Sequence, residues 1–197
     1  MNLPNKLSLL RIAMVPFFIV VMVLSVLIPS FDTAGSILGV VIFILASLTD
    51  MLDGKIARKY NLITDFGKFI DPLADKFMVI GALVVLLYKY EAIRNLFVWA
   101  VILVIFRELA ITSVRLVAAG SSGVVIAAKY IGKIKTVSQI VCICTVIIEP
   151  LLARLDALSF LASYPLTYVT TAVMILFTLW SGIDYMISYR KYLDPTK

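Results

Sequence analysis

Long apolar runs dominate the chain, interrupted at short intervals by residues that turn or stop a helix. Six runs, at about residues 7–28, 34–59, 65–88, 95–119, 130–149 and 165–189, each reach the ~20 residues a helix needs to cross the hydrocarbon of a bilayer. The breaks carry Pro29, Ser30 and Asp32, then Asn61, Thr64 and Asp65, then Gly120, Ser121, Ser122 and Gly123, then Pro150 and Pro165. These are residues of turns and helix ends. Within lipid every backbone polar group needs a partner in its own segment, so the runs are expected to be helices. The pattern predicts an all-α polytopic membrane protein with six transmembrane helices, both termini on one side, and one domain over 1–197 without internal repeats.

Composition strengthens this picture. The chain is 62% hydrophobic and 15% charged, with a mean hydropathy of +1.05. Soluble domains carry about one quarter charged residues, which argues against a soluble fold. The first run follows Lys6 and holds Arg11, as a signal peptide might, but it is too long and has no clear small-residue cleavage site. It is read as a retained helix. Of 18 lysines and arginines, Lys89, Arg94 and Arg154 fall at one end of the predicted bundle. The other fifteen fall at the end that holds the termini, which the positive-inside rule makes cytoplasmic. Cys142 and Cys144 are two apart on one helix, on different faces, and read as small packing residues. Histidine is absent, which removes phosphohistidine chemistry and histidine-ligated metal sites.

Candidate chemistry is concentrated between Asp50 and Asp75, where the chain reads DMLDGKIARKYNLITDFGKFIDPLAD. Asp50 and Asp53 share a face of the second helix. Gly67, Asp71 and Asp75 form a stripe on the third. If these helices are antiparallel neighbours, four carboxylates converge, and their mutual repulsion calls for divalent cations. Oxygen ligands without histidine or cysteine suit Mg2+ or Mn2+ rather than zinc, and two such ions can hold a phosphoryl group for in-line displacement. Gly54 and Ala57 let a ligand approach the second helix, Arg58 offers a planar fork to phosphate oxygens, and Pro72 is expected to bend the third helix. A solvated layer pairing the aspartates with Lys55, Arg58, Lys68 and Lys76 would account for any one of them. It does not account for the set, because ionisable residues inside a membrane are costly and usually functional.

The arrangement of Asp50, Asp53, Gly54, Ala57, Arg58, Gly67, Asp71 and Asp75 resembles the motif of the CDP-alcohol phosphatidyltransferase family at all its fixed positions. The resemblance implies a six-helix membrane enzyme that moves a lipid phosphate from a cytidine diphosphate donor to an alcohol. It makes Asp50, Asp53, Asp71 and Asp75 ligands of two divalent cations and Asp75 the base for the acceptor hydroxyl. Asn5, Gly54, Ala57, Arg58 and Gly67 become contacts of CDP-diacylglycerol. Spacing alone does not rank the four carboxylates.

Three more segments resemble the phosphatidylglycerophosphate synthases within that family: Asn2 to Ser8 with Arg11 and Pro16, Phe106 to Leu109 with Arg115, and Gly132 to Thr136 with Gln139. Ser8 stands where those proteins often carry threonine. Pro4 and Asn5 could also simply cap an interfacial helix. Arg107 and Arg115 share a helix face, and either could pair with Glu108. Lys133 and Lys135 could be membrane-surface anchors. Together the four cations suit the phosphate of glycerol 3-phosphate. Other acceptors in the family, inositol phosphate or serine, are the alternative, and an ion-coupled transporter would explain the carboxylates but not the spaced glycines. A membrane prenyltransferase would spread its aspartates over a longer chain, and a phospholipase-D-like synthase needs histidine. No nucleic-acid partner is expected. Gly35 and Gly39 fit a close helix crossing, either within the chain or at a homodimer seam.

Overall fold

The computed structural model describes residues 2–60, 64–122 and 130–190. Six long helices run in chain order: α1 (Leu3–Leu27), α2 (Asp32–Lys59), α3 (Asp65–Lys89), α4 (Arg94–Ser122), α5 (Tyr130–Leu152) and α6 (Pro165–Tyr189). Short 3-10 segments at Pro29–Phe31, Glu91–Ile93 and Asp156–Ser163 join α1 to α2, α3 to α4 and α5 to α6. No strand occurs among the described residues. The chain is an all-α polytopic membrane protein.

Local chemistry explains most helix ends. Pro29 follows α1 and Pro165 opens α6, where a missing N–H costs nothing. Thr64 caps α3, its hydroxyl accepting from Gly67 N at 3.0 Å. Two breakers act less strongly than their type suggests. Pro150 lies inside α5, which continues to Leu152, and Pro72 lies inside α3 without ending it. α1 begins at Leu3, with Asn2 at the cap position. Asn5 therefore lies inside the helix, and its side chain serves another purpose described below.

Five helices carry stretches apolar and long enough to cross a membrane: Asn5–Leu27, Pro29–Leu52, Glu91–Ala118, Tyr130–Leu152 and Pro165–Tyr189. α3 differs because its first half holds Asp65, Lys68, Asp71, Asp75 and Lys76. α1 packs on α2 and α3, while α6 packs on α4 and α5. Helices α2 and α3 meet α5 between these groups. Phe18, Met22, Phe43, Leu83, Leu86, Phe97, Ile143 and Ile147 form the main core. Ile111, Ala118, Tyr185 and Tyr189 form a smaller one between α4 and α6. Gly35 and Gly39 let α2 approach α1. A Cβ on Gly35 would lie 2.6 Å from Ser25 Cβ, and one on Gly39 would lie 2.5 Å from Met22 Sδ. The pair serves this crossing within the chain.

The distribution of polarity is that of a protein in lipid. Leu10, Phe17, Trp99, Phe106, Trp180 and Ile187 are exposed, whereas Arg11, Glu108, Lys135, Gln139 and Glu149 are buried. Water would reward the opposite arrangement, while a bilayer accommodates apolar exteriors and restricts charge to the bundle interior.

Candidate active site

The polar stripe of α1 organises the aspartate end. Asn5, Ser8 and Arg11 recur every three residues, are all buried, and face α2 and α3. Asn5 Nδ2 donates to Thr64 Oγ1 at 3.0 Å. Ser8 Oγ donates to Asp71 Oδ1 at 2.5 Å. Arg11 Nη1 pairs with Asp50 Oδ1 at 2.5 Å, with the arginine fully enclosed and the aspartate side chain 39% exposed. Each contact crosses between helices, so α1 fixes the positions of α2 and α3 at this end.

Gly67 is placed by the same stripe. A Cβ there would lie 2.9 Å from Asn5 Oδ1 and 3.2 Å from Thr64 Oγ1. One turn later stands Asp71, and one further turn places Asp75 about 6 Å deeper along α3. Asp75 Oδ1 is buried and has no hydrogen-bond partner among the described residues. Asp75 lies in the electrostatic reach of Asp50, Lys135, Glu108 and Arg11. Charged groups of α1, α2, α4 and α5 thus act electrostatically on one carboxylate of α3.

A second cluster adjoins it. Arg107 Nη1 donates to Glu108 Oε1 at 2.9 Å and Lys135 Nζ donates to the same oxygen at 2.6 Å. Arg107 Nη2 donates to Ser181 Oγ at 2.5 Å. Arg115 Nη2 donates to Tyr185 Oη at 2.6 Å. The guanidinium carbons of Arg115 and Arg107 lie 4.8 and 5.5 Å from the centre of the Tyr185 ring, within cation–π range. Lys133 is exposed on α5, whereas Lys135 is enclosed. Arg107 Nε and Gln139 Nε2 are buried donors without partners among the described residues.

The predicted site residues are therefore distributed unevenly. The structure groups Asp50, Asp71 and Asp75 with α1, and groups Arg107, Lys135 and Arg115 around Glu108 and Tyr185. Gly54 is partly buried on α2. The side chains of Asp53, Ala57 and Arg58 lie outside those described, although their backbone belongs to α2. Sequence reasoning gave no role to Ser181 and Tyr185 of α6, and named Ser8 and Arg11 only through resemblance. A polar residue every third position in an otherwise apolar α1 was the available signal for the latter.

Two features bear on a metal centre. The donors are carboxylate oxygens, which suit a hard divalent cation, and the partnerless Asp75 Oδ1 is a buried anionic oxygen that a cation would satisfy. Among the described residues no three acidic side chains form a cage by themselves. The carboxylates of Asp50, Asp71 and Asp75 are oxygen donors of the type that suits a hard divalent cation.

Residues 1–180 match the model of the CDP-alcohol phosphatidyltransferase family. The chain belongs to that family. It is 41% identical to a CDP-diacylglycerol–glycerol-3-phosphate 3-phosphatidyltransferase of Bacillus subtilis, over 93% of each chain. It is 35% identical to a probable phosphatidylglycerophosphate synthase of Mycobacterium tuberculosis, over 94% of this chain and 80% of the relative. A Yersinia enterocolitica protein bearing the same name as the Bacillus relative is 34% identical over 99% of each chain. Asp50 and Asp53 lie on α2 and Asp71 and Asp75 on α3, the two helices that α1 ties together.

Proposed function

We propose that this protein transfers the phosphatidyl group of CDP-diacylglycerol to glycerol 3-phosphate, giving phosphatidylglycerophosphate and CMP. The observation that carries this reading is the position of Lys135. It bonds Glu108 beside Arg107 and also lies in the electrostatic reach of Asp75. A cationic cluster suited to a phosphomonoester thus adjoins the carboxylate suited to take a proton from a hydroxyl. Glycerol 3-phosphate carries both groups on one short skeleton. The names of its relatives support the same reaction.

The donor reaches the site from the bilayer with its cytidine toward the cytoplasm. Asn5, Gly54, Ala57, Arg58 and Gly67 contact it. Arg107, Arg115, Lys133 and Lys135 hold the acceptor phosphate through charge-assisted hydrogen bonds. Asp75 takes the proton of the acceptor's primary hydroxyl. That oxygen bonds to the lipid-bearing phosphorus as the bond from this phosphorus to the cytidylate oxygen breaks, and CMP leaves with the electron pair. Asp50, Asp53, Asp71 and Asp75 would hold two divalent cations, Mg2+ or Mn2+, which when bound neutralise the pyrophosphate and the leaving group. Positioning and charge neutralisation account for most of the acceleration.

The charge bias supports six spans in the cell membrane, with α3 as the sixth, and supports a cytoplasmic location for both termini and the site. The aspartates of α3 then lie at the end where soluble acceptor and CMP are available.

The test is CMP release by purified protein from CDP-diacylglycerol with glycerol 3-phosphate, glycerol, inositol phosphate or serine as acceptor. Glycerol 3-phosphate is expected to be the preferred acceptor. Equal turnover with neutral glycerol would remove the phosphate-recognition reading while leaving the family reaction in place.

A further inference from the structure

We propose that Glu108 is a positioning residue that sets acceptor specificity, holding Arg107 and Lys135 as one phosphate-recognising pair beside Asp75. The inference rests on glycerol 3-phosphate being the acceptor.

A buried carboxylate on a membrane helix is costly unless it is paired, and one cation would suffice to pair it. Here a single oxygen, Glu108 Oε1, accepts from both Arg107 Nη1 at 2.9 Å and Lys135 Nζ at 2.6 Å. The side chains are 11%, 9% and 7% exposed for Arg107, Glu108 and Lys135. Two like charges enclosed this closely repel strongly in a medium of low dielectric, and the shared oxygen is what keeps them together.

The pair retains unused donors. An ammonium has three N–H groups and a guanidinium five. Arg107 Nε is buried without a partner among the described residues. The arginine is also held from its other side, with Nη2 bonded to Ser181 and the guanidinium near the Tyr185 ring. Its chain lies against Gly182, where a Cβ would come 3.5 Å from Arg107 Cγ. The guanidinium is therefore oriented before any ligand arrives, which reduces the ordering cost of binding.

Charge balance points the same way. Arg107 and Lys135 bring two positive charges against the single negative charge of Glu108, and Arg115 and Lys133 add further cations for the nearly two negative charges of a phosphomonoester at neutral pH. A neutral alcohol would leave the pair uncompensated. Because Lys135 also lies within the electrostatic reach of Asp75, the oxygen that fixes Lys135 sets where the bound phosphate lies relative to the group that takes the hydroxyl proton.

The test compares Michaelis constants for the two substrates in wild type, Glu108→Gln and Glu108→Asp, with melting temperatures recorded in the same detergent. Glu108→Gln keeps the shape but removes the charge, and is expected to raise the KM for glycerol 3-phosphate about tenfold. The KM for CDP-diacylglycerol should stay within about twofold of wild type, and the preference for glycerol 3-phosphate over glycerol should fall. Glu108→Asp keeps the charge on a shorter arm and should raise the acceptor KM less than the glutamine variant does. If Glu108→Gln does not fold, Glu108→Asp decides alone, through a raised acceptor KM with an unchanged donor KM. An acceptor KM equal to wild type in the folded variants would overturn the proposal, as would both Michaelis constants rising in step with a fall in melting temperature. Wild type that releases no CMP with glycerol 3-phosphate would overturn the functional reading first, before any variant is compared.

Discussion

The two ends of the bundle treat buried charge in opposite ways. At the end away from the aspartate motif, Lys89 Nζ donates to Ser25 Oγ, Asp32 Oδ1 and Ser36 Oγ at 2.5, 2.6 and 2.9 Å. Those three bonds use all three of its N–H groups. The other oxygen of Asp32 accepts from Arg154 Nη2 at 2.5 Å, and Arg154 also reaches Thr33. Nearby, both oxygens of Glu149 accept from backbone at the start of α6, from Leu166 N at 2.8 Å and Thr167 N at 2.6 Å. These charged groups are saturated by the chain itself. At the motif end, Asp75 Oδ1 has no hydrogen-bond partner among the described residues and two cations share one oxygen of Glu108. The first arrangement locks helices together. The second leaves groups that the proposed cations and acceptor phosphate would satisfy.

The largest effect that would sharpen this contrast is metal removal. Chelation should abolish CMP release, by about a thousandfold or more, since a metal centre supplies several kcal/mol of charge stabilisation. Readdition of Mg2+ or Mn2+ should restore it, and the melting temperature should change little, because α1 already ties the motif helices together. Activity that persists in chelator would break the contrast at the motif end.

Next in size is a break at the far end. Asp32→Ala leaves Lys89, whose side chain is 5% exposed, with hydroxyl partners only. Removing one partner of such an ion pair costs about 3 kcal/mol. Denaturation in detergent should report that loss, while the Michaelis constants stay near wild type. A selective rise in acceptor KM would instead tie the far end to substrate.

A smaller and more selective effect is expected for Arg115→Gln. Loss of one charge-assisted contact, about 1.5 kcal/mol or more, should raise the KM for glycerol 3-phosphate roughly tenfold and spare CDP-diacylglycerol. Parallel changes in both constants would show that Arg115 serves mainly to pack against Tyr185.

The sequence makes the helices and their order legible because a span announces itself through unbroken apolar length, and Pro29 and Pro165 mark ends by removing a backbone donor. It overstated Pro150, since a proline in a final turn removes a bond the helix can do without when its neighbours are packed. The aspartates were visible through local spacing on α2 and α3. The partners of those aspartates were not, because Ser8 to Asp71 and Arg11 to Asp50 join residues far apart in the chain. Tyr185 and Ser181 were hidden for the same reason, as they reach the cations only through the packing of α6 on α4. Lys89 and Arg154 mark one side of the membrane in the sequence and Asp32 a break between spans, and the three prove to be one interlocked group.

Asp75→Asn tests the central contrast most directly, through CMP turnover and melting temperature measured on the same preparation. The account predicts a loss of turnover of at least about a hundredfold, as expected for removal of a general base. It also predicts a melting temperature equal to or above that of wild type, because an enclosed carboxylate oxygen without a partner among the described residues has been replaced by a neutral amide. Near-normal turnover, or activity lost only in proportion to lost stability, would contradict it.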